Sequence, residues 1–146
     1  MNIQIRKATL DDLAYIDKIE NSLEHRILSS NLLNSTLDSS NYYYFVAILD
    51  DSVVGYLAVE YMVDHLDILS IAVFKEHRRK NIAHSLIENF IEMCKKIDIN
   101  DIFLEVRVSN ESAISFYEKE GFEKISCRKN YYTSPIEDAY IYKKAV

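Results

Sequence analysis

Ile68-Leu69-Ser70-Ile71-Ala72-Val73-Phe74, followed by Lys75-Glu76-His77-Arg78-Arg79-Lys80-Asn81 and then Ile82-Ala83-His84-Ser85-Leu86-Ile87, is the stretch on which the fold turns. Six of the first seven residues are apolar, Ser70 being the exception, and β-branched side chains are frequent among them, which reads as a buried strand. From Ala83 to Ile97 the apolar residues Leu86, Ile87, Phe90, Ile91 and Cys94 recur at three- and four-residue steps, which predicts an amphipathic helix. A strand therefore feeds a helix through one basic loop. Such a junction is a natural anion cradle, because the first backbone N–H groups of a helix lack partners and its dipole favours negative charge there. Arg78, Arg79 and Lys80 add positive charge, Asn81 and Ala83 are small, and Asn tolerates the left-handed conformation that such a loop needs. The same residues also suit a solvated basic turn. Neither a Walker loop nor a Gly-rich dinucleotide fingerprint occurs.

Outward from this junction, Ile3 and Ile5 alternate with polar residues as in a half-buried strand. Thr9 is placed to cap a helix carrying Leu10, Leu13, Ile16 and Ile19, with Asp11 and Asp12 in its first turn. A second, less regular helical stretch is expected over Asn21 to Asp38. Strands are expected at Tyr42 to Leu49, Val53 to Val63 and Leu66 to Phe74, forming an antiparallel meander. After the helix at Ala83 come a strand at Ile102 to Val106, a helix at Ser112 to Glu120 ended by Gly121, and strands at Phe122 to Lys129 and Ala139 to Lys143. The pattern is α/β: a mixed, mostly antiparallel sheet of about seven strands flanked by about four helices, in one domain spanning 1–146.

The chain has 146 residues, 49% hydrophobic and 27% charged, which suits one globular domain with its own core. A formal charge of −6 excludes a protein that grips a nucleic-acid backbone, and a basic partner is easier to accommodate. Cys94 and Cys127 have no metal-like spacing, and His25, His65, His77 and His84 read as surface or loop residues, so no metal is expected. Both cysteines are expected in the core, which makes a nucleophilic role for either a minor alternative. Met1 to Lys7 shows no signal-peptide pattern and no apolar stretch is long enough to span a bilayer, which sets the expectation of a cytoplasmic protein free of the membrane.

The pattern Arg78-x-x-Asn81-x-Ala83 resembles the pyrophosphate-binding motif of the GNAT acetyltransferase superfamily, departing from it at Asn81, where Gly is usual. A more specific likeness follows: Leu104-Glu105-Val106-Arg107-Val108-Ser109-Asn110, then Ala113-Ile114, Tyr117, Gly121-Phe122, Arg128, Asn130-Tyr131-Tyr132 and Glu137-Asp138-Ala139. In order and spacing this block is similar to the RimI-type family, the ribosomal-protein-alanine N-acetyltransferases. Val54-Gly55-Tyr56 is GNAT-like as well.

The resemblance implies the GNAT fold, acetyl-CoA as cosubstrate, and transfer of its acetyl group to a protein N-terminal amine. It implies Glu105 as the base and Tyr117 as the acid that protonates the departing thiolate. Cofactor contacts fall on Ile71, Ala72 and Val73 along the strand, on Arg78, Arg79, Lys80, Asn81, Ile82, Ala83 and His84 at the cradle, and on Asn110 and Tyr117. The implied acceptor is the N-terminal alanine of a small-subunit ribosomal protein, its basic tail attracted by Glu137, Asp138 and also Glu20 or Glu24 on the acceptor-side loop Asn130 to Asp138 and the first helices. Without the resemblance, Glu105 reads equally as a carboxylate paired with Arg107, Tyr117 as a core aromatic, and Asn110 as a helix cap. In place of the Pro-Trp element usual between the first two helices of RimI-type enzymes, this chain has Leu23-Glu24-His25-Arg26-Ile27. A small-molecule amine or a lysine is the alternative acceptor, and a non-catalytic acyl-CoA-binding protein is the alternative from another class.

Overall fold

The computed structural model describes residues 2–146; Met1, with which the N-terminal reading began, lies outside them. In chain order the elements are β1 (Ile3–Lys7), α1 (Leu13–Asn21), α2 (Ser30–Thr36), β2 (Tyr42–Leu49), β3 (Ser52–Met62), β4 (His65–Val73), α3 (Ile82–Lys96), β5 (Asp101–Arg107), α4 (Glu111–Lys119), β6 (Glu123–Thr133) and β7 (Ile136–Ala145). Short 3-10 turns at Leu10–Asp12 and Lys75–His77 precede α1 and α3. The strands form one seven-stranded sheet in the order β1-β2-β3-β4-β5-β7-β6. Every neighbouring pair is antiparallel except β4 and β5, which run parallel because α3 carries the chain back between them. The expected mixed α/β sheet with four helices is the one observed.

Each sheet face has its own apolar layer. Leu57, Leu66, Ile68, Ile102, Leu104 and Val106 pack against Ile82, Leu86 and Phe90 of α3 and Tyr117 of α4. On the other face Tyr44, Tyr56, Ala58 and Ala72 pack against Ile16 and Ile19 of α1 and Leu28 and Leu33 around α2. Strand alternation assigns the rest: with Ile102, Leu104 and Val106 buried toward α3, Phe103, Glu105 and Arg107 stand on the α1/α2 face.

The helix expected over Asn21 to Asp38 forms only at Ser30–Thr36, capped by Ser29 accepting from Leu32 N–H at 3.0 Å. Residues 22–29 are a loop, because the Glu20 carboxyl accepts the N–H groups of Ile27 and Leu28 and withdraws them from any helical ladder. The cap of the first helical turn also runs differently: Asp12 takes the Thr9 N–H at 2.7 Å and holds Arg6 at 2.7 Å. The loop expected from Asn130 to Asp138 contracts to Ser134 and Pro135, since β6 bulges between Arg128 and Tyr132, with Asn130 at φ 53°, and then resumes pairing with β7. Cys94 is buried as expected, whereas Cys127 is exposed because β6 is an edge strand with solvent on both sides. His84 lies in the first turn of α3 with its side chain partly exposed, in keeping with a surface position.

Candidate active site

The parallel pairing of β4 and β5 covers only Leu66 to Ile68 against Ile102 to Leu104, although β4 runs on to Val73 and β5 to Arg107. The cause lies in β4. Ala58 of β3 pairs with Ser70 while the next residue, Val59, pairs with Ile68, so Leu69 is an extra residue that bends the strand away from β5. Beyond the bulge the two strands part and a gap opens between them. Phe74 N–H donates to the Val54 carbonyl at 2.9 Å, and alternation then turns the backbone of Ala72 toward β3 and that of Ile71 and Val73 toward the gap. Of the three expected strand contacts, Ile71 and Val73 present backbone groups to the opening. Gly55 permits this approach: a Cβ there would meet the Ala72 carbonyl oxygen at 3.0 Å and Val73 Cγ2 at 3.1 Å.

At the end of β4 the loop passes through Arg79 at φ 63° and Asn81 at φ 59°. Asn81 thus occupies the left-handed conformation for which its side chain is suited. The first helical acceptor in α3 is the Asn81 carbonyl, taken by Ser85 N–H at 3.0 Å, which leaves the N–H groups of Ile82, Ala83 and His84 projecting from the helix start. Arg78 is drawn back to the strand, its Nε donating to the Val73 carbonyl at 3.3 Å, and Lys80 Nζ lies 3.4 Å from His77 Nδ1. The His84 ring is committed elsewhere: Nδ1 is 2.9 Å from Glu120 and Nε2 is 2.8 Å from Glu88. Only its backbone N–H is available to the cradle.

On the α1/α2 face, Glu105 stands on β5 just past the point where the strands separate. Its expected partner Arg107 is engaged instead with Glu137 at 3.1 Å and the Pro135 carbonyl at 3.2 Å, and its guanidinium lies 4.2 Å from the centre of the Tyr132 ring. Burial raises the Glu105 pKa above the usual carboxyl value, the charge of Asp67 raises it further, and Arg128 offsets part of the rise. Asp67 pairs with Phe103 across the parallel ladder, so it shares Glu105's face. Its own pKa is raised by burial. The charge of Glu105 also acts on the Tyr131 and Tyr132 phenols, both raised first by burial. Asp67, Arg128, Tyr131 and Tyr132 therefore gather around Glu105; Asp67 is placed there by the parallel register and the other three by the pairing of β7 with β5 and β6.

Tyr117 lies on α4, on the far side of the sheet. Its ring makes edge contacts with Phe116 and Phe122, and burial drives its pKa well upward, so its phenol is held in the protonated form. Asn110 caps α4, accepting from Ala113 N–H at 3.2 Å. Glu137 accepts from Ser109 N–H at 2.8 Å besides its ion pair, and Asp138 accepts from Asn130 N–H at 2.9 Å. Glu137 thus ties β7 to the end of β5, and Asp138 shapes the β6–β7 hairpin. Glu20 is fully buried and does not present its charge to a peptide, whereas Glu24 is exposed. Among the described residues no cluster of His, Cys, Asp and Glu could hold a metal, and no helix is long and apolar enough to cross a membrane.

A parallel strand pair opened by a bulge, with a helix N-terminus below it and a desolvated carboxyl beside it, defines an acyltransferase of the N-acetylating class. The chain belongs to the GNAT acetyltransferase family, whose model, described as the acetyltransferase (GNAT) family, matches residues 9–122. It is 36% identical over 150 residues to an N-alpha-acetyltransferase of Saccharolobus solfataricus, covering 94% of this chain and 89% of that one. A Bacillus subtilis protein provisionally named a ribosomal protein bS18-alanine N-acetyltransferase is 32% identical over 138 residues, covering 94% of this chain and 91% of the other. The crystal structure of the ribosomal-protein-S18-alanine N-acetyltransferase from Escherichia coli superposes with a TM-score of 0.89 at 26% identity, covering 99% of this chain and 94% of that one. The protein is thus an acyltransferase that draws its acetyl group from acetyl-CoA.

Proposed function

We propose that residues 1–146 act as one catalytic domain that acetylates protein N-terminal amines, with the N-terminal alanine of a small-subunit ribosomal protein as acceptor. The observation that carries this reading is the gap between β4 and β5, with the Val73 backbone on one wall and half-buried Glu105 on the other. The Ile71 and Val73 backbone would pair with the pantetheine arm as an added strand, and the N–H groups of Ile82, Ala83 and His84 would receive the pyrophosphate beside Arg78, Arg79 and Lys80. Asn110 keeps its amide nitrogen free for the same ligand while its oxygen caps α4.

The acceptor amine reaches the thioester carbon after losing a proton to Glu105, directly or through a water. A free α-amine has a pKa of about 7.7 to 8.0, so a carboxylate whose pKa is raised toward neutrality is matched to that task. As the C–N bond forms, charge on the thioester oxygen faces Val73 N–H. The C–S bond then breaks and Tyr117 supplies the proton to sulfur. Attraction for a basic peptide falls to Asp67 and the net −6 charge, since Glu137 is paired with Arg107 of β5 and Asp138 is bonded within the hairpin. Ribosomal proteins place this work in the cytoplasm.

A second reading, N-terminal acetylation across many proteins, is favoured by the likeness to the archaeal N-alpha-acetyltransferase. Peptides beginning with Ala, Ser or Met, each with a basic or a neutral tail, incubated with acetyl-CoA and weighed by mass spectrometry, separate the two. A preference for Ala with a basic tail supports the ribosomal acceptor; acetylation only of lysine side chains or small amines sinks both.

A further inference from the structure

Glu20, the next-to-last residue of α1, is fully buried and has no cationic partner. Its two carboxyl oxygens accept three hydrogen bonds: Ile27 N–H at 3.1 Å, Leu28 N–H at 2.9 Å and the Tyr56 hydroxyl at 2.8 Å. The Tyr56 hydroxyl in turn lies 2.7 Å from Ser70 Oγ, the residue that follows the bulge in β4. One carboxyl group thus fastens the α1–α2 loop to the strand at the point where the gap opens.

The same loop is fastened from outside by Arg26. Its Nε donates to the Leu28 carbonyl at 2.6 Å and its Nη1 to Asn21 Oδ1 at 2.5 Å, and its Nη2 binds Asp17 of α1, which also accepts from the Ser30 hydroxyl at the start of α2. Two charged side chains therefore do here what a proline and a large aromatic would do by stiffness and bulk. Leu28 and Leu23 of the loop pack with Ala72 and Leu69 of β4 on the α1/α2 face, the face from which Glu105 projects across the gap. Loop and Glu105 thus lie on one face of the sheet, the loop over β4 and Glu105 on β5 across the gap. Ile27, its N–H held by Glu20, is left 56% exposed at the rim.

We infer that Glu20 is a positioning residue for the acceptor: acting through the backbone of Ile27 and Leu28, with Arg26 as its outer counterpart, it sets the wall of the groove that faces Glu105. This rests on the N-acetyltransferase reading of the groove and adds the element that shapes its acceptor side. Binding free energy is gained when such a wall is ordered before the ligand arrives, and is lost when the ligand must order it.

Glu20→Gln keeps the volume but turns an NH2 toward one of the backbone donors. With the amine that the wild type acetylates fastest, the acceptor KM is expected to rise about tenfold in Glu20→Gln while the KM and Kd for acetyl-CoA stay within about twofold. Amide exchange at Ile27 and Leu28 should accelerate while the α3 amides remain protected. Arg26→Met, a change at the protein surface, should give the same split if Glu20→Gln does not fold. Using the best amine makes the test independent of the ribosomal acceptor: a wrong acceptor changes the peptide used and leaves the split intact. Were no amine turned over, the functional reading would fall, and unchanged exchange at Ile27 and Leu28 would separately overturn the anchoring. Unchanged kinetics in both variants, or acceptor and acetyl-CoA KM rising together, would also overturn it.

Discussion

Ile68 of β4 and Leu104 of β5 are the last pair that the two parallel strands share, and Glu105 is the first residue beyond them on β5. The base position is thereby half-buried by the closed part of the sheet and yet open to the gap. Replacing it by Glu105→Gln is expected to lower kcat/KM about 10²- to 10⁴-fold. The deficit should shrink above about pH 8, where the acceptor amine loses its proton to solvent without help. Initial rates across pH for both proteins measure this; a deficit independent of pH would remove Glu105 from the proton transfer.

The raised pKa of Glu105 also fixes the direction of the acid limb. As the proposed base Glu105 acts when ionised, so kcat/KM is expected to fall as pH drops through a pKa that burial has raised. Asp67 raises that pKa and Arg128 lowers it. Asp67→Asn should therefore move the limb to lower pH and Arg128→Met to higher pH. Movement of both in one direction would contradict the assignment.

Tyr117→Phe removes one hydroxyl and leaves the ring contacts with Phe116 and Phe122 in place. Thermal stability should hardly change, while kcat falls by about 10²-fold if the phenol protonates the leaving sulfur. An acetyl donor with a more acidic leaving thiol should restore much of the loss, because its thiolate departs without a proton. Equal loss with both donors would assign Tyr117 to packing alone.

Most of the fold is legible in the chain because hydrophobic period changes at its element boundaries. β2 runs over the expected Tyr42–Leu49, and α3 starts within one residue of Ala83. Three features are silent for physical reasons. Leu69 bulges in a strand that carries apolar residues toward both faces, where an extra residue leaves no clear break in alternation. Glu20 looks like an ordinary carboxylate at a helix end, and only tertiary contact reveals that Ile27 and Leu28 bond to it. β6 is exposed along nearly its whole length, so it lacks the alternation that would have extended it past Lys129. The basic turn leading into α3 was legible in Arg78 to Ala83; the grouping of Asp67 with Glu105 required the sheet register.

Asn81 sits at φ 59°, where a β-branched residue is strained by about 1 to 2 kcal/mol and glycine is not. Asn81→Gly should therefore bind acetyl-CoA within about threefold of wild type, and Asn81→Val should bind about tenfold more weakly, with acceptor KM little changed in either. Calorimetric titration with CoA reads this directly. Equal affinity for all three would show that the loop is not shaped for the ligand.

His84 joins the first turn of α3 to the end of α4 through Glu120, with Glu88 on its other nitrogen. Its pKa is raised above 6.5, chiefly by the hydrogen bond with Glu120. A group whose pKa is higher folded than unfolded stabilises the fold while it is protonated in both states; that contribution is full below 6.5 and fades as pH rises through the higher folded value. The Tm advantage of wild type over His84→Gln should accordingly be largest near pH 6 and diminish toward pH 9. Since Glu120 also holds Lys144 through its carbonyl at 2.8 Å, loss of the histidine charge loosens one of the ties at the end of α4, and α4 carries Tyr117. Differential scanning calorimetry at several pH values tests the sign: an advantage that grows with pH would mean that His84 is neutral in the fold and that the two helices are held together by packing alone.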